Sequence, residues 1–231
     1  MIITLIYVYK YCIAVGRMIK LFFMEEIEIK KSQEPKSAKA RKTRARILEA
    51  ARAVFAEHGF AKTTAEEIST KAGVGYGTFY LYFKDKREAL HTILSEVDAK
   101  LYHLGEDELA KYRRGLGALS TIKATISSFF DNFQANADVI KICHELSTTD
   151  PDFKAKHDEI RARLINRVKE HLLKGVEVGN VKNIDPEITS FALAGLIETI
   201  AIEWFFNNRQ WDRDKVINTV AKLYLGAIIK S

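Results

Sequence analysis

A chain of 231 residues with 47% apolar composition is long enough to bury a sizeable core, which excludes disorder for most of it. Three prolines and twelve glycines leave long stretches without breakers, and two cysteines, Cys12 and Cys143, cannot build a disulfide scaffold or a thiolate zinc site. The formal charge of +6 is concentrated, because residues 30–90 carry fourteen cations against seven anions whereas residues 91–231 carry nineteen against twenty. A small basic unit joined to a larger, nearly neutral one is the electrostatic footprint of a nucleic-acid reader with a second module.

Met1 to Phe23 is apolar but interrupted by Lys10, Arg17 and Lys20. Its longest apolar run falls short of the ~20 residues that cross a bilayer, and its charges are not ordered as in a secretory signal. Two readings stay open. The segment is an amphipathic stretch lying on a membrane surface, or the native product begins at Met18 or Met24. The second is preferred, so no membrane partner is expected, and the thiol count points to a cytoplasmic location.

From Lys30 to Arg46 the chain carries Lys30, Lys31, Lys36, Lys39, Arg41, Lys42, Arg44 and Arg46 against the single anion Glu34. A solvated tail has the same composition. This run, however, leads into Ile47, Leu48, Ala51, Val54 and Phe55, the stripe of an amphipathic helix, and the helix stops at Gly59, where a left-handed cap is available. Thr64 and Glu67 have capping-box spacing and open a second helix that runs to about Ala72. Gly73 and Val74 turn the chain into a third helix within GYGTFYLYF, residues 75–83. Two short helices across such a turn have helix-turn-helix spacing.

Ile68, Val74, Phe79 and Phe83 are expected to pack on Val54 and Phe55, which leaves Gly75, Tyr76, Thr78, Tyr80 and Tyr82 outward or at the rim. Small residues at Gly75 and Gly77 let a backbone enter a major groove closely. Tyr76 is the candidate for base contact. The hydroxyls of Thr78, Tyr80 and Tyr82, with Thr63 and Thr64, are candidates for phosphate, as are the cations Arg41, Arg44, Lys84 and Lys86. Simple packing is the alternative for the tyrosines, Tyr80 above all.

The stretch from Phe60 to Leu90 resembles the DNA-binding region of TetR/AcrR-family regulators. The resemblance is carried by Gly59-Phe60, Thr63-Thr64, Ile68, Ala72-Gly73-Val74, Gly77-Thr78, Tyr80, Phe83, Lys86 and Leu90, and it extends over residues 41–90. It implies that the rest of the chain is an all-helical module that dimerises and holds a small-molecule pocket. Gly75 departs from the Ser or Thr frequent in that family, and Tyr76 replaces what is commonly a basic or small polar residue.

Further along, Leu90, Ile93, Leu94, Val97 and Leu101 mark a long helix leaving the basic unit. Leu116, Leu119, Ile122, Ile126, Phe130 and Phe133 mark another, and Val139 to Leu146 a short one. Asp150-Pro151 and Asp185-Pro186-Glu187 are start signals for two more, the first ending at Gly179 and the second continuing through Trp204 to Phe206. Trp211-Asp212 precedes the last. The second of these helices is apolar around most of its circumference, so it must be covered on more than one side. One solution is a symmetric dimer with the last helix, through Phe191, Ala194, Gly195, Ile202, Phe206, Val220 and Tyr224; a wholly intramolecular core helix is the alternative. The resemblance implies the dimer.

None of the six histidines falls in a metal-binding frame, and neighbouring Cys143, His144 and Glu145 would not converge on one ion. There is no phosphate loop or nucleophile elbow, so neither an enzyme nor a cofactor is expected. An apolar cavity is drawn between Phe129, Phe133, Ile140, Cys143, Ile160, Leu164 and Trp204, with His144 as polar anchor, although a plain core would look the same. The expectation is therefore an all-α protein: a leader and basic arm at 1–35, a helix-turn-helix domain at 36–85 and a ligand-binding, dimerising domain at 86–231. Its expected function is that of a homodimeric repressor which binds a palindromic double-stranded DNA operator and is released by a small apolar or amphipathic effector. An activator, or a helical small-molecule-binding protein, is the alternative.

Overall fold

The computed structural model describes residues 37–112, 118–177, 181–182 and 184–229. The apolar leader, the cations Lys30, Lys31 and Lys36, the Leu101 side chain, Leu116 and Gly179 lie outside the described residues. The helices are α1 (Ala38–His58), α2 (Ala65–Ala72), α3 (Tyr76–Tyr80), α4 (Lys86–Tyr112), α5 (Ala118–Ala135), α6 (Ala137–Leu146), α7 (Pro151–Glu177), α8 (Pro186–Ala201) and α9 (Arg213–Ile228), with a π-helical segment at Ile202–Phe206. The all-α class holds, and a lone antiparallel bridge between Val181 and Ile229 is the only β pairing among the described residues.

Two compact units divide the chain, residues 1–47 and 48–231. In the first, Ser37 opens α1 by accepting from the Ala40 N–H (3.1 Å) on its hydroxyl and from the Arg41 N–H (3.0 Å) on its carbonyl, and the Thr43 hydroxyl donates back to the Lys39 carbonyl (3.0 Å). The cations from Lys39 to Arg46 are therefore carried on a helix, not on an extended arm.

In the second unit, local chemistry sets the helix ends where the sequence places them. Gly59 takes φ +76° just past α1. Thr64 caps α2, its hydroxyl accepting from the Glu67 N–H (3.2 Å) while the Glu67 carboxylate accepts from the Thr64 N–H (2.8 Å), so the capping box is complete. Gly73 ends α2 at φ +62°, a left-handed cap that a side chain would strain. Asp150, Asp185 and Asp212 accept from the first N–H groups of α7, α8 and α9.

Val54, Phe55, Ile68, Phe79, Phe83 and Leu90 are all buried, as the sequence pattern requires, whereas Val74, expected beside them, is only half-buried. Each fully buried large side chain contributes ~1.5–3 kcal/mol of transfer free energy. Helix α4, 27 residues and so ~40 Å long, leaves this small core and packs along α5, α6 and α7. Helix α7 lies on α8, and α9 lies on α5. The stretch Pro186–Phe206 is long and apolar enough to cross a membrane by length and composition. In the fold it packs on α7 and joins the cluster built by α5 and α9.

The expected continuation of α8 as an α-helix through Phe206 is corrected by the structure, which widens into π geometry at Ile202. The cause is three consecutive aromatics. Trp204 meets Phe130 edge-on (5.3 Å), Phe205 stacks on Phe133 (5.7 Å) and Phe206 also reaches Phe133 (5.4 Å). Successive side chains of an α-helix are too widely splayed for all three to meet two neighbouring rings of α5; the extra residue per turn brings them together.

Candidate nucleic-acid interface

The α2–turn–α3 region builds one exposed face. Phe79 is completely buried and anchors α3, so the opposite side of this short helix must face solvent. Gly75, Tyr76, Gly77 and Tyr80 are exposed there, with Thr78 and Tyr82 half-buried at its edge and Lys84 exposed beyond it. Tyr76 is 56% exposed. Its hydroxyl shares a hydrogen bond with that of Tyr80 (3.0 Å), and the rings meet edge-on at 5.1 Å. That hydrogen bond pushes the Tyr80 phenol above its ordinary range. Leu81, 80% exposed at the end of α3, is an apolar side chain on the same face that the sequence pattern did not single out. Its signal was a leucine falling outside the stripe formed by Phe79 and Phe83. Such a group suits a thymine methyl. Arg41 and Arg44 lie in the first turns of α1, Arg41 exposed and Arg44 half-buried.

Three candidate contacts have other tasks. Thr63 is buried, and its hydroxyl donates to the Gly59 carbonyl (2.8 Å), so it does not face a phosphate. Thr64 uses its hydroxyl to cap α2. The Lys86 ammonium donates to the carbonyls of Phe60 (2.8 Å), Ala61 (3.0 Å) and Thr63 (2.8 Å) and lies 4.8 Å from the centre of the Phe60 ring. Burial pushes this lysine below its ordinary range.

Two arginines tie this region to the start of α6 and the start of α7. Arg52 of α1 forms a bidentate pair with Asp138 (2.7 and 2.7 Å) and donates to the Asn136 side chain (2.9 Å) and the Ala135 carbonyl. Arg87 of α4 forms a second bidentate pair with Asp150 (2.6 and 2.7 Å) and reaches Asp152 (3.1 Å). The guanidinium holds the Asp150 carboxyl down to about 2. Between them Phe153, fully buried, takes His91 in a parallel stack (4.6 Å), Phe60 edge-on (5.5 Å) and the Arg87 guanidinium over its face (4.9 Å). Burial, then the nearby Lys156 and Arg87 charges, push His91 below its ordinary range.

In the carboxy-terminal helices, Phe129, Phe133, Ile140 and Trp204 meet in one cluster with Ile126, Phe130 and the π segment. His144 approaches it through Phe206 (6.0 Å) and faces His157 (5.8 Å). Cys143 is buried and its thiol is pushed up to about 11, which makes it inert. Ile160 and Leu164 are half-buried on α7. Two polar features were not legible. Asp98 is buried opposite Arg163, and burial still raises its carboxyl above the ordinary range. The Asn132 amide nitrogen is buried without a hydrogen-bond partner. No group of three or more His, Cys, Asp or Glu side chains among the described residues could hold a metal.

Residues 47–92 match the family described as "Bacterial regulatory proteins, tetR family", and residues 118–228 match "Tetracyclin repressor-like, C-terminal domain". The chain belongs to the TetR family. Its TetR relatives include the fatty acid metabolism regulator protein of Bacillus subtilis strain 168, 25% identical over 79% of this chain and 93% of that protein. The crystal structure of the B. subtilis transcriptional regulator FadR in complex with stearoyl-CoA aligns with a TM-score of 0.64 at 25% identity, over 79% of this chain and 98% of that one. The SmeT–triclosan complex aligns with a TM-score of 0.69 at 22% identity, over 82% and 93%, which shows the shared fold; SmeT is the repressor of a Stenotrophomonas maltophilia efflux pump. The TetR relatives and fold are those of transcriptional regulators and not of enzymes.

Within the TetR C-terminal domain, the residues named for pairing separate into three groups. Ala194 and Val220 are buried inside the chain and leave no surface for a second copy, a correction that follows from α8 and α9 packing these residues inward. Ile202, Phe206 and Tyr224 pack against the aromatic cluster, and burial pushes the Tyr224 phenol up. Phe191 is 54% exposed beneath the Arg161 guanidinium (4.6 Å), and a side chain at Gly195 would meet nothing nearer than Arg161 at 4.0 Å. Ile188, 71% exposed, and Leu223 are exposed apolar residues of α8 and α9 that the sequence pattern missed.

Proposed function

We propose that this TetR-family regulator is a cytoplasmic homodimeric repressor that binds a palindromic operator and is released by a small apolar or amphipathic effector. Residues 36–85 serve as the DNA-binding domain and residues 86–231 as the effector-binding and dimerising domain. The observation that carries the reading is the exposed face of Gly75, Tyr76, Gly77 and Tyr80, held on a closed core by Phe79. Tyr76 and Leu81 read base edges. Thr78, Tyr82 and Lys84 hold the phosphates that set register, and Arg41 and Arg44, in the other unit, add charge for phosphate on their own.

Ile188 and Phe191 of α8 and Leu223 of α9 are the exposed apolar side chains through which two copies pair, so that two α3 helices stand one duplex turn apart, about 34–36 Å. The effector lies beside the half-buried aromatics of α5 and the π segment. Its affinity differs between two positions of α6, and the Arg52 and Arg87 pairs carry that difference to the reading face. Stearoyl-CoA, the ligand of the B. subtilis FadR structure, is the first effector to test.

Duplexes selected from a randomised library by the purified protein are expected to share a palindrome and to be released by stearoyl-CoA in fluorescence anisotropy. Ile188→Glu with Leu223→Glu is expected to give a monomer by light scattering and to lose selective binding. If no sequence is enriched over competitor DNA, the repressor reading falls.

A further inference from the structure

Lys86 is the first residue of α4, and nothing in helix formation favours a lysine there. A cation at a helix N-terminus opposes the macrodipole, and Glu88 and Asp85 already supply the local caps, the Glu88 carboxylate accepting from the Lys84 N–H and Asp85 accepting from the Glu88 N–H (2.9 Å). What offsets the cost is tertiary. The three carbonyls that accept from Lys86 all belong to the turn between α1 and α2, residues 60–63, and they lie 23 to 26 positions earlier in the chain.

That turn leads directly into Thr64, the cap of α2. Its far side is fixed by the Thr63 hydroxyl on Gly59 and by Phe60, whose ring touches Phe55 (5.4 Å) and Phe153 (5.5 Å). An ammonium group has three donors, and all three are engaged here, so none is left to aim at a phosphate.

We propose that Lys86 is a positioning residue for DNA recognition, which locks the α1–α2 turn to the start of α4 and so sets the angle at which α2 and α3 meet the duplex, without itself contacting DNA. This rests on the DNA-binding reading above. It distinguishes Lys86 from Lys84, an exposed cation two residues earlier. Lysine suits the position better than arginine because a tetrahedral ammonium can point at three converging carbonyls, whereas a planar guanidinium cannot.

The test compares Lys86→Met, Lys86→Arg and Lys84→Met in the full chain, using a duplex selected by the unmodified protein and its affinity as a function of salt. Folding is checked by circular dichroism at the assay temperature. Losing a phosphate contact lowers the salt slope by about one per subunit. Lys84→Met is expected to show that loss. Lys86→Met is expected to weaken binding by about tenfold or more with the slope unchanged, because three charge-assisted bonds are lost away from the DNA.

Lys86→Arg keeps the charge and the reach to phosphate but breaks the three-carbonyl geometry. It too is expected to weaken binding at unchanged slope, and it decides the matter if Lys86→Met does not fold. A lowered slope in Lys86→Met, or affinity in Lys86→Arg equal to that of the unmodified protein, would overturn the proposal. If the unmodified protein selects no duplex, the DNA-binding reading fails instead. Hydrogen exchange then decides the cradle: faster exchange confined to residues 59–68 in Lys86→Met supports it, and unchanged exchange there refutes it.

Discussion

The amino-terminal head, residues 48–92, and the helical body, residues 93–112 and 118–228, satisfy their polar groups in different ways. In the head the chemistry closes on itself. A complete capping box opens α2, a left-handed glycine ends it, Thr63 and Lys86 satisfy the carbonyls of the turn before it, and Phe55, Phe79 and Phe83 are sealed. The body keeps loose ends: a buried amide nitrogen of Asn132 without a partner, Asp98 in an environment that disfavours its charge, and half-buried Phe129, Trp204 and Phe205 around a π segment. A head that must present one fixed face to a duplex is built to be rigid. On the proposed function, a body whose helices change position on binding an effector keeps the compliance that full satisfaction would remove.

The sharpest way to break this contrast is to open the head. Phe79→Ala empties the centre of its core and is expected to cost about 3–5 kcal/mol, read as a lowered denaturation midpoint. If the head is the rigid part, Phe129→Ala in the half-buried cluster costs clearly less in the same measurement. Equal losses would mean that the two regions are packed alike.

Next in size is the link between them. Arg52→Ala combined with Arg87→Ala removes both bidentate pairs, at the starts of α6 and α7. The double variant is expected to hold its selected duplex within a few-fold of the unmodified protein while losing most of the release by stearoyl-CoA, measured as anisotropy. Full release in the double variant would show that α6 is not the route.

Acid offers a gentler test. His91 and Asp150 both have folded-state pKa values below their ordinary ones, so the unfolded chain binds more protons than the folded one, and stability falls as pH falls. The His91 contribution is complete above its ordinary value of 6.5 and is lost as pH falls from there through the lowered folded-state value; the Asp150 contribution is lost between 3.8 and about 2. His91→Phe keeps the ring on Phe153 and is expected to abolish the upper step alone in urea unfolding followed against pH.

The smallest effect is expected from Thr64→Ala. Losing the cap costs about 1 kcal/mol and should leave the body's hydrogen exchange untouched.

Much of this fold was legible because its signals are local. Thr64 and Glu67, Asp150-Pro151, Asp185-Pro186 and Asp212 each announce a helix start within four residues, and the apolar stripes of α1 and α4 are periodic enough to place Phe55, Leu90 and Leu94 in the core. What stayed hidden depends on residues far apart in the chain. Lys86 looks like one more cation in a basic stretch until the turn at 60–63 folds over it, and Thr63 looks like a free hydroxyl until Gly59 comes within reach. Ala194 and Val220 are small enough for a seam between copies or within one, and only packing decides between them. The tryptophan and two phenylalanines at 204–206 were visible, but the helix geometry that lets all three meet α5 was not.

Phe153 has a consequence for synthesis. The ring beneath Phe60 and His91 is supplied by a residue that leaves the ribosome more than ninety positions after Phe60. At about 5–20 residues per second this leaves roughly five to twenty seconds in which the nascent amino-terminal region lacks its floor. A growing chain therefore shows two bare rings to chaperones and proteases before it is able to hold a gene silent, and a fragment truncated ahead of Phe153 would keep them bare for its whole lifetime.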